Sequence, residues 1–228
     1  MKSRKEKATG EIYYKNKGKE YYSYIRYDVL KMIPRGVKII LDVGCGEGHT
    51  SAEAKRTLEA SVVVGVEPYL PAAEIAKKNL DRLLTSDIEV LDLDYPEGYF
   101  DCIICADVLE HTRDPWTVLK KLYYYLNYDG YIVVSLPNIQ NYTVIKKLLL
   151  GKFDYEDSGI LDKTHLRFFT LDTIKKMFDE TGYEILKIDY NLNSGWKLNL
   201  LNKITFGMLT PFSVFQYLIL AKKKIIKN

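Results

Sequence analysis

Residues 41–48 read LDVGCGEG, an apolar run that ends in three glycines spaced two apart. Glycine spaced in this way serves a backbone that bends sharply through positive φ, or one that a ligand must approach closely. The run before it, VKIILDV, has the unbroken hydrophobicity of a strand buried on both faces. A helical stretch over Ser51–Leu58 and a second run, SVVVGV, follow it. Strand, glycine bend, helix and strand make a β-α-β unit, whose strands must be parallel because the connection crosses over.

The alternation continues to the end of the chain. Helices are expected near 71–80, 115–126 and from Pro137 to Leu150, and over 173–180 with Thr170 as cap and Gly182 as stop. Strands are expected at 83–85, 99–106, 131–137, 183–190 and 215–222. Seven strands alternating with helices predict an α/β doubly wound, Rossmann-like sheet, largely parallel. Tyr22, Ile25, Val29, Leu30 and Ile33 form a lead-in helix that must stop at Pro34. Residues 1–18 read as a loosely ordered basic arm and 19–228 as a single domain. Within it, 138–170 contains DYEDSGILDKTHLRFF, a polar aromatic stretch without a period, which is expected to be a lid over the substrate.

Composition narrows the function classes. A formal net charge of +3 on 228 residues does not call for a polyanionic partner, so nucleic acid is not expected. The N-terminus, MKSRKEK, lacks the apolar run of a signal peptide. The most apolar stretch, Phe206 to Leu220, is too short to span a bilayer and is broken by Pro211 and Gln216, so it reads as a loop and a buried strand. With the Lys-rich ends it leaves peripheral contact with an anionic membrane as a lesser expectation. Cys45, Cys102 and Cys105 cannot make a full disulfide set, which favours a reducing compartment, the cytoplasm. Cys102 and Cys105, three apart on a strand, face opposite sides and read as core rather than as a zinc site.

The glycine bend also discriminates among ligands. A dinucleotide loop would read GxGxxG, but His49 stands after Gly48, which weakens a diphosphate reading. Asp42 precedes the glycines and suits a cationic ligand. Glu67 ends the second strand roughly 20 residues on, where a carboxylate accepts hydrogen bonds from ribose hydroxyls. Asp87 and Ile88 follow the third strand and can clamp an adenine ring.

On these blocks the chain resembles the class I S-adenosylmethionine-dependent methyltransferases: LDVGCGEG is similar to their first motif, VVGVEP to the second and SDIEVLDL to the third. YFDCIICADVLEHTRDPWTVLKKL and YEDSGILDKTHLRFFT resemble blocks of a bacterial and archaeal subgroup. The resemblance implies a seven-stranded sheet of order 3-2-1-4-5-7-6 with the last strand antiparallel, and S-adenosylmethionine as cofactor. It further implies that Asp42, Gly44 and Gly46 face the methionine portion, that Glu67 binds both ribose hydroxyls, and that Asp87 meets the adenine amine. Cys45, Pro68, Ile88 and Asp107 travel with these blocks as further contacts. Tyr21, Tyr22 and Arg26 lie where related enzymes fold a helix over the cofactor, with Arg26 placed to pair the methionine carboxylate.

For the reacting site, His111 follows the fourth strand in ADVLEH and is the candidate general base; His165, in the expected lid beside Arg167, is the second candidate. Tyr155, Glu156, Asp157 and Asp162 add polar groups suited to an acceptor. Asp107, Glu110, His111 and His165 also resemble the ExxEH-plus-His metal set of small-RNA 2′-O-methyltransferases. Position 107 is Asp and no RNA-binding module is present, so a divalent metal is not expected to be required. The favoured activity is O-methylation of a small hydroxylated acceptor, a sugar or a quinone- or phenol-like molecule, yielding S-adenosylhomocysteine. A non-catalytic S-adenosylmethionine-binding regulator and a nicotinamide-dependent oxidoreductase are the alternatives.

Overall fold

A computed structural model of the chain describes residues 22–193 and 202–224. The basic arm expected at 1–18, and Tyr21, lie outside the described residues. The chain order is α1 (Tyr27–Leu30), β1 (Ile39–Val43), α2 (His49–Leu58), β2 (Val62–Val66), α3 (Leu70–Ala76), β3 (Arg82–Leu84), β4 (Phe100–Ala106), a 3-10 turn (Leu109–His111), α4 (Pro115–Tyr125), β5 (Leu126–Pro137), α5 (Tyr142–Leu149), α6 (Leu171–Glu180), β6 (Tyr183–Leu192), α7 (Thr210–Ser213) and β7 (Val214–Lys223).

The seven strands form one sheet in the order β3-β2-β1-β4-β5-β7-β6. β3 to β5 pair in parallel through β2, β1 and β4, whereas β7 runs antiparallel to both β5 and β6. Order and direction are those the family resemblance implied.

Both faces of the sheet are buried, because side chains alternate along each strand. Leu41, Val43, Ile103, Cys105, Ile132 and Val134 point to one side, where Val118, Leu119 and Leu122 of α4 and Ile174, Met177 and Phe178 of α6 cover them. Ile40, Val63, Cys102, Ile104, Val133 and Leu218 point to the other, against Val29 and Leu30 of α1 and Ala54 of α2. Cys102 and Cys105 thus sit on opposite faces, buried and unbridged.

Several boundaries differ from the sequence expectation: α3 ends at Ala76 rather than near Leu80, and α5 starts at Tyr142 rather than at Pro137. The lead-in helix is interrupted: residues 22–23 are helical, 24–26 are not, and α1 resumes over Tyr27–Leu30, because Arg26 leaves helical geometry (ψ 70°) as its N–H turns to Thr50 Oγ1. β5 starts at Leu126: Phe100 pairs with Leu126 and Cys102 with Tyr131, so Asp129-Gly130 belongs to an irregularity in the strand. The loop expected ahead of the last strand contains the helical turn α7. Among the described residues, no helix is long and apolar enough to cross a membrane.

Candidate active site

Strands β1, β2 and β4 end level with one another, Val43 beside both Val66 and Cys105. Ligands of open α/β sheets bind at such carboxyl ends. A cavity of about 780 Å³ opens there, within the range of small-molecule and cofactor sites. Its wall includes Tyr22, Arg26, Asp42, Gly44, Cys45, Gly46, Glu67, Pro68, Asp87, Ile88, Asp107 and His111. The residues singled out in the sequence as cofactor contacts, Tyr21 apart, therefore share one wall, together with His111.

The bend after β1 shapes this wall. Gly44, Gly46 and Gly48 all have positive φ, 71°, 55° and 78°. A Cβ on Gly46 would lie 2.8 Å from the Tyr22 carbonyl, and one on Gly44 would lie 2.6 Å from Val108 Cγ2. Gly44 N–H and Cys45 N–H donate to Val66 O at 2.7 and 3.2 Å, which ties the bend to the tip of β2. From that tip the Glu67 carboxylate accepts from Gly46 N–H (2.9 Å) and Tyr69 N–H (2.8 Å). Burial raises the Glu67 carboxyl above its usual range, and these two backbone donors partly offset that. Its position suits two adjacent hydroxyl donors.

Asp42 is buried and accepts from Ser51 Oγ of α2. Burial pushes its carboxyl up to about 7; Ser51 opposes the shift and the Glu67 charge adds to it. Asp87 accepts from Glu89 N–H, which fixes the turn that carries Ile88 to the wall.

Arg26 departs from expectation. Its five N–H groups donate to Asp28 (Nε 2.9 Å and Nη2 3.0 Å), Gln216 Oε1 (2.9 Å), Ser135 Oγ (3.3 Å) and Asp107. Burial alone would lower the guanidinium, but Asp107 and Asp28 hold it above its ordinary value. Rather than offering free donors to a carboxylate ligand, Arg26 braces Asp107. Asp107 takes a left-handed backbone (φ 56°), donates its N–H to Ser135 Oγ, and accepts from Gln216 Nε2. No local sequence pattern marks Ser51 as the partner of Asp42, or Ser135 and Gln216 as partners of Asp107. Gln216, a polar residue inside the apolar run of β7, was the one signal available.

The histidines also depart from expectation. The His111 ring forms part of the wall, but its Nδ1 lies 3.2 Å from Thr164 O and its Nε2 is buried. Neither nitrogen is presented to the cavity as a base. His165 is buried behind the wall with Nδ1 2.9 Å from Ile160 O; its neighbours Lys163, Thr164 and Leu166 line the cavity instead. Of the polar residues expected to meet an acceptor, Glu156 pairs with Lys147, Asp157 with Lys163, and Asp162 accepts from Thr164. Tyr155 is half exposed away from the wall, and Arg167 donates to Arg113 O. Of the candidate metal set, Glu110, His111 and His165 come together while Asp107 turns away to Arg26.

The family described as a methyltransferase domain matches residues 19–188. An uncharacterized methyltransferase of Mycobacterium tuberculosis is 34% identical over 102 residues, 43% of this chain and 51% of that protein. The chain thus spans about half the length of that curated relative. A ubiquinone biosynthesis O-methyltransferase of Coxiella burnetii is 26% identical over 180 residues, 72% of this chain and 75% of that protein. A SAM-dependent methyltransferase structure from Archaeoglobus fulgidus has a TM-score of 0.65 at 20% identity, covering 90% of this chain and 97% of that one, a likeness of fold.

Proposed function

Because the chain belongs to the class I S-adenosylmethionine-dependent methyltransferases, we propose that it moves a methyl group from S-adenosylmethionine to a hydroxyl of a small acceptor and acts in the cytoplasm. The observation that carries the reading is Glu67: a buried carboxylate held by Gly46 N–H and Tyr69 N–H beside a glycine bend, on the wall of a nucleoside-sized cavity.

S-adenosylmethionine supplies an electrophilic methyl on sulfur. Transfer of that methyl to the acceptor oxygen would leave the S–CH₃ electron pair on sulfur and release the hydroxyl proton. The residues do the positioning. Glu67 takes the ribose hydroxyls, Asp87 and Ile88 the adenine, and Asp42 the ammonium of the methionine portion. Gly44 and Gly46 let the ligand lie against the backbone. Holding donor and acceptor in line without intervening water supplies most of the rate.

Acceptor-side groups on the wall are Thr112, Arg113, Lys163 and Thr164, a polar surface suited to a hydroxylated molecule. Since neither His111 nitrogen is presented there, the proton goes to solvent, which favours an acidic hydroxyl of the phenol class over a sugar alcohol. The Coxiella O-methyltransferase likeness points the same way. Residues 19–228 act as one domain in this reading, and 138–170 supply the acceptor side.

Calorimetry with S-adenosylmethionine and S-adenosylhomocysteine, followed by product detection against a panel of phenols, quinols and sugars, tests the proposal. We expect uptake of both nucleosides and turnover on a phenolic member. Replacing Glu67 with Gln should weaken uptake by about 10- to 100-fold, because hydrogen bonds to a charged group contribute about 1.5–3 kcal/mol each. Absence of uptake by folded protein would overturn the methyltransferase reading. Uptake without turnover on any acceptor would favour a regulator.

A further inference from the structure

On the reading that S-adenosylmethionine is the cofactor and that Asp87 meets its adenine amine, we propose that Lys121 of α4 is a positioning residue for the adenine end of the site. Its ammonium gathers the carbonyls of Ile88, Glu89 and Leu91 and so sets the turn that carries Asp87 and Ile88 to the cavity wall.

The turn needs an outside partner. None of residues 85–99 lies in a strand, so no strand ladder takes up their carbonyls. Within the turn, Asp87 O accepts from Val90 and Leu91 N–H at 3.1 and 2.9 Å, which serves the donors. The carbonyls are served from α4. Lys121 Nζ donates to Ile88 O (2.6 Å), Glu89 O (3.3 Å) and Leu91 O (2.9 Å), three acceptors for the three protons of an ammonium. Burial lowers Lys121 from its ordinary value, while the charges of Asp92, Asp87 and Glu89 oppose that shift.

The start of α4 grips the same turn. Glu89 Oε1 accepts from Arg113 and Asp114 N–H at 2.9 and 3.2 Å, just ahead of Pro115, and Asp114 caps the helix by accepting from Thr117 N–H. Lys121 stands about two helical turns after Asp114, so both attachments fall on one face of the helix. Tyr125, one turn further along, donates to Asp92 Oδ1 at 2.8 Å, beyond the turn. Lys121 alone among these side chains holds the peptide groups on either side of Ile88. Asp87 and Ile88 both line the cavity, so shifting those peptides shifts the adenine contacts.

The test is calorimetry on the full chain with S-adenosylhomocysteine and with S-inosylhomocysteine, which carries an oxygen in place of the adenine amine. The unsubstituted protein is expected to prefer the adenine form by about 10-fold or more, the contribution of one hydrogen bond to a charged group. Lys121→Met keeps the alkyl stem and removes the donors. It should weaken S-adenosylhomocysteine binding by about 10-fold and bring the preference to within about 2-fold of unity, because the lost affinity lies in that hydrogen bond. Tyr125→Phe, which removes only the neighbouring tie to Asp92, should keep the preference. An unchanged preference in Lys121→Met would overturn the proposal, and so would an equal loss in Tyr125→Phe, the mark of a general loosening of the segment. If Lys121→Met does not fold by circular dichroism, Lys121→Gln takes its place, and an unchanged preference there counts against the proposal equally. Unsubstituted protein that takes up neither nucleoside overturns the cofactor reading and the role of Lys121 with it. Uptake of both without preference leaves the cofactor reading standing and overturns the pairing of Asp87 with the adenine amine, and so the role of Lys121.

Discussion

Asp42 sits at 3% exposure with Ser51 donating to it, and its carboxyl stands near 7 against an ordinary 3.8. The folded, ligand-free chain thus holds a proton that the unfolded chain releases. The stability this provides is complete below about pH 4 and is lost as pH rises through about 7. A cationic ligand favours the ionised form, so binding should expel the proton. Between pH 6 and pH 8 the affinity for S-adenosylmethionine should rise about 10-fold, with nearly one proton released per ligand at pH 6. Calorimetry in buffers of different ionisation enthalpy measures both. Asp42→Asn should flatten the profile, and a flat profile in the unsubstituted protein would remove Asp42 from the ligand's ammonium. Asp42 was legible in the sequence because its place before the glycines is a local fact. Ser51 was not, because its partner is set by how α2 packs on β1.

At the scale of elements, the bend and the caps behave as local rules demand. Gly46 combines φ 55° with a Cβ position 2.8 Å from the Tyr22 carbonyl. Gly46→Ala should cost about 1–2 kcal/mol for the left-handed backbone and should abolish tight cofactor uptake, since relief of the clash moves the N–H that holds Glu67. An alanine variant that binds normally would show that this bend is not the ligand's seat. Thr170 caps α6 by accepting from Thr173 N–H, and the Thr173 hydroxyl returns a bond from Thr170 N–H. Thr170→Ala should lower unfolding free energy by about 1 kcal/mol in denaturant titration and leave cofactor affinity unchanged, because α6 lies away from the cavity wall. Helix ends with a cap and stop were legible to within a few residues. The lead-in helix was not, because Arg26 abandons helical geometry for partners far along the chain.

For the whole molecule, the sheet separates the cysteines. Cys102 and Cys105 lie in cores on opposite faces, and burial raises all three thiols above their usual range. Thiolate is the reactive form, so Ellman's reagent should label the native protein slowly and all three thiols promptly after denaturation. Rapid native labelling of two or more would contradict this burial. Closing the sheet with an antiparallel β7 between β5 and β6 also carries Gln216 to Asp107 and Arg26, and so joins the last strand to the site.

What the sequence determined by itself is whatever depends on near neighbours: the strand and helix periods, the bend at 44–48, and the acids at the strand tips. These follow from backbone sterics and from the alternation of apolar residues, which act over a few positions. Tertiary structure decided the rest. It made Arg26, which lines the cavity, a brace for Asp107, buried the His111 Nε2, and gathered Glu110, His111 and His165 while Asp107 pairs with Arg26. Such partners are tens of residues apart along the chain and meet only because the sheet packs their elements together, so no local pattern records them.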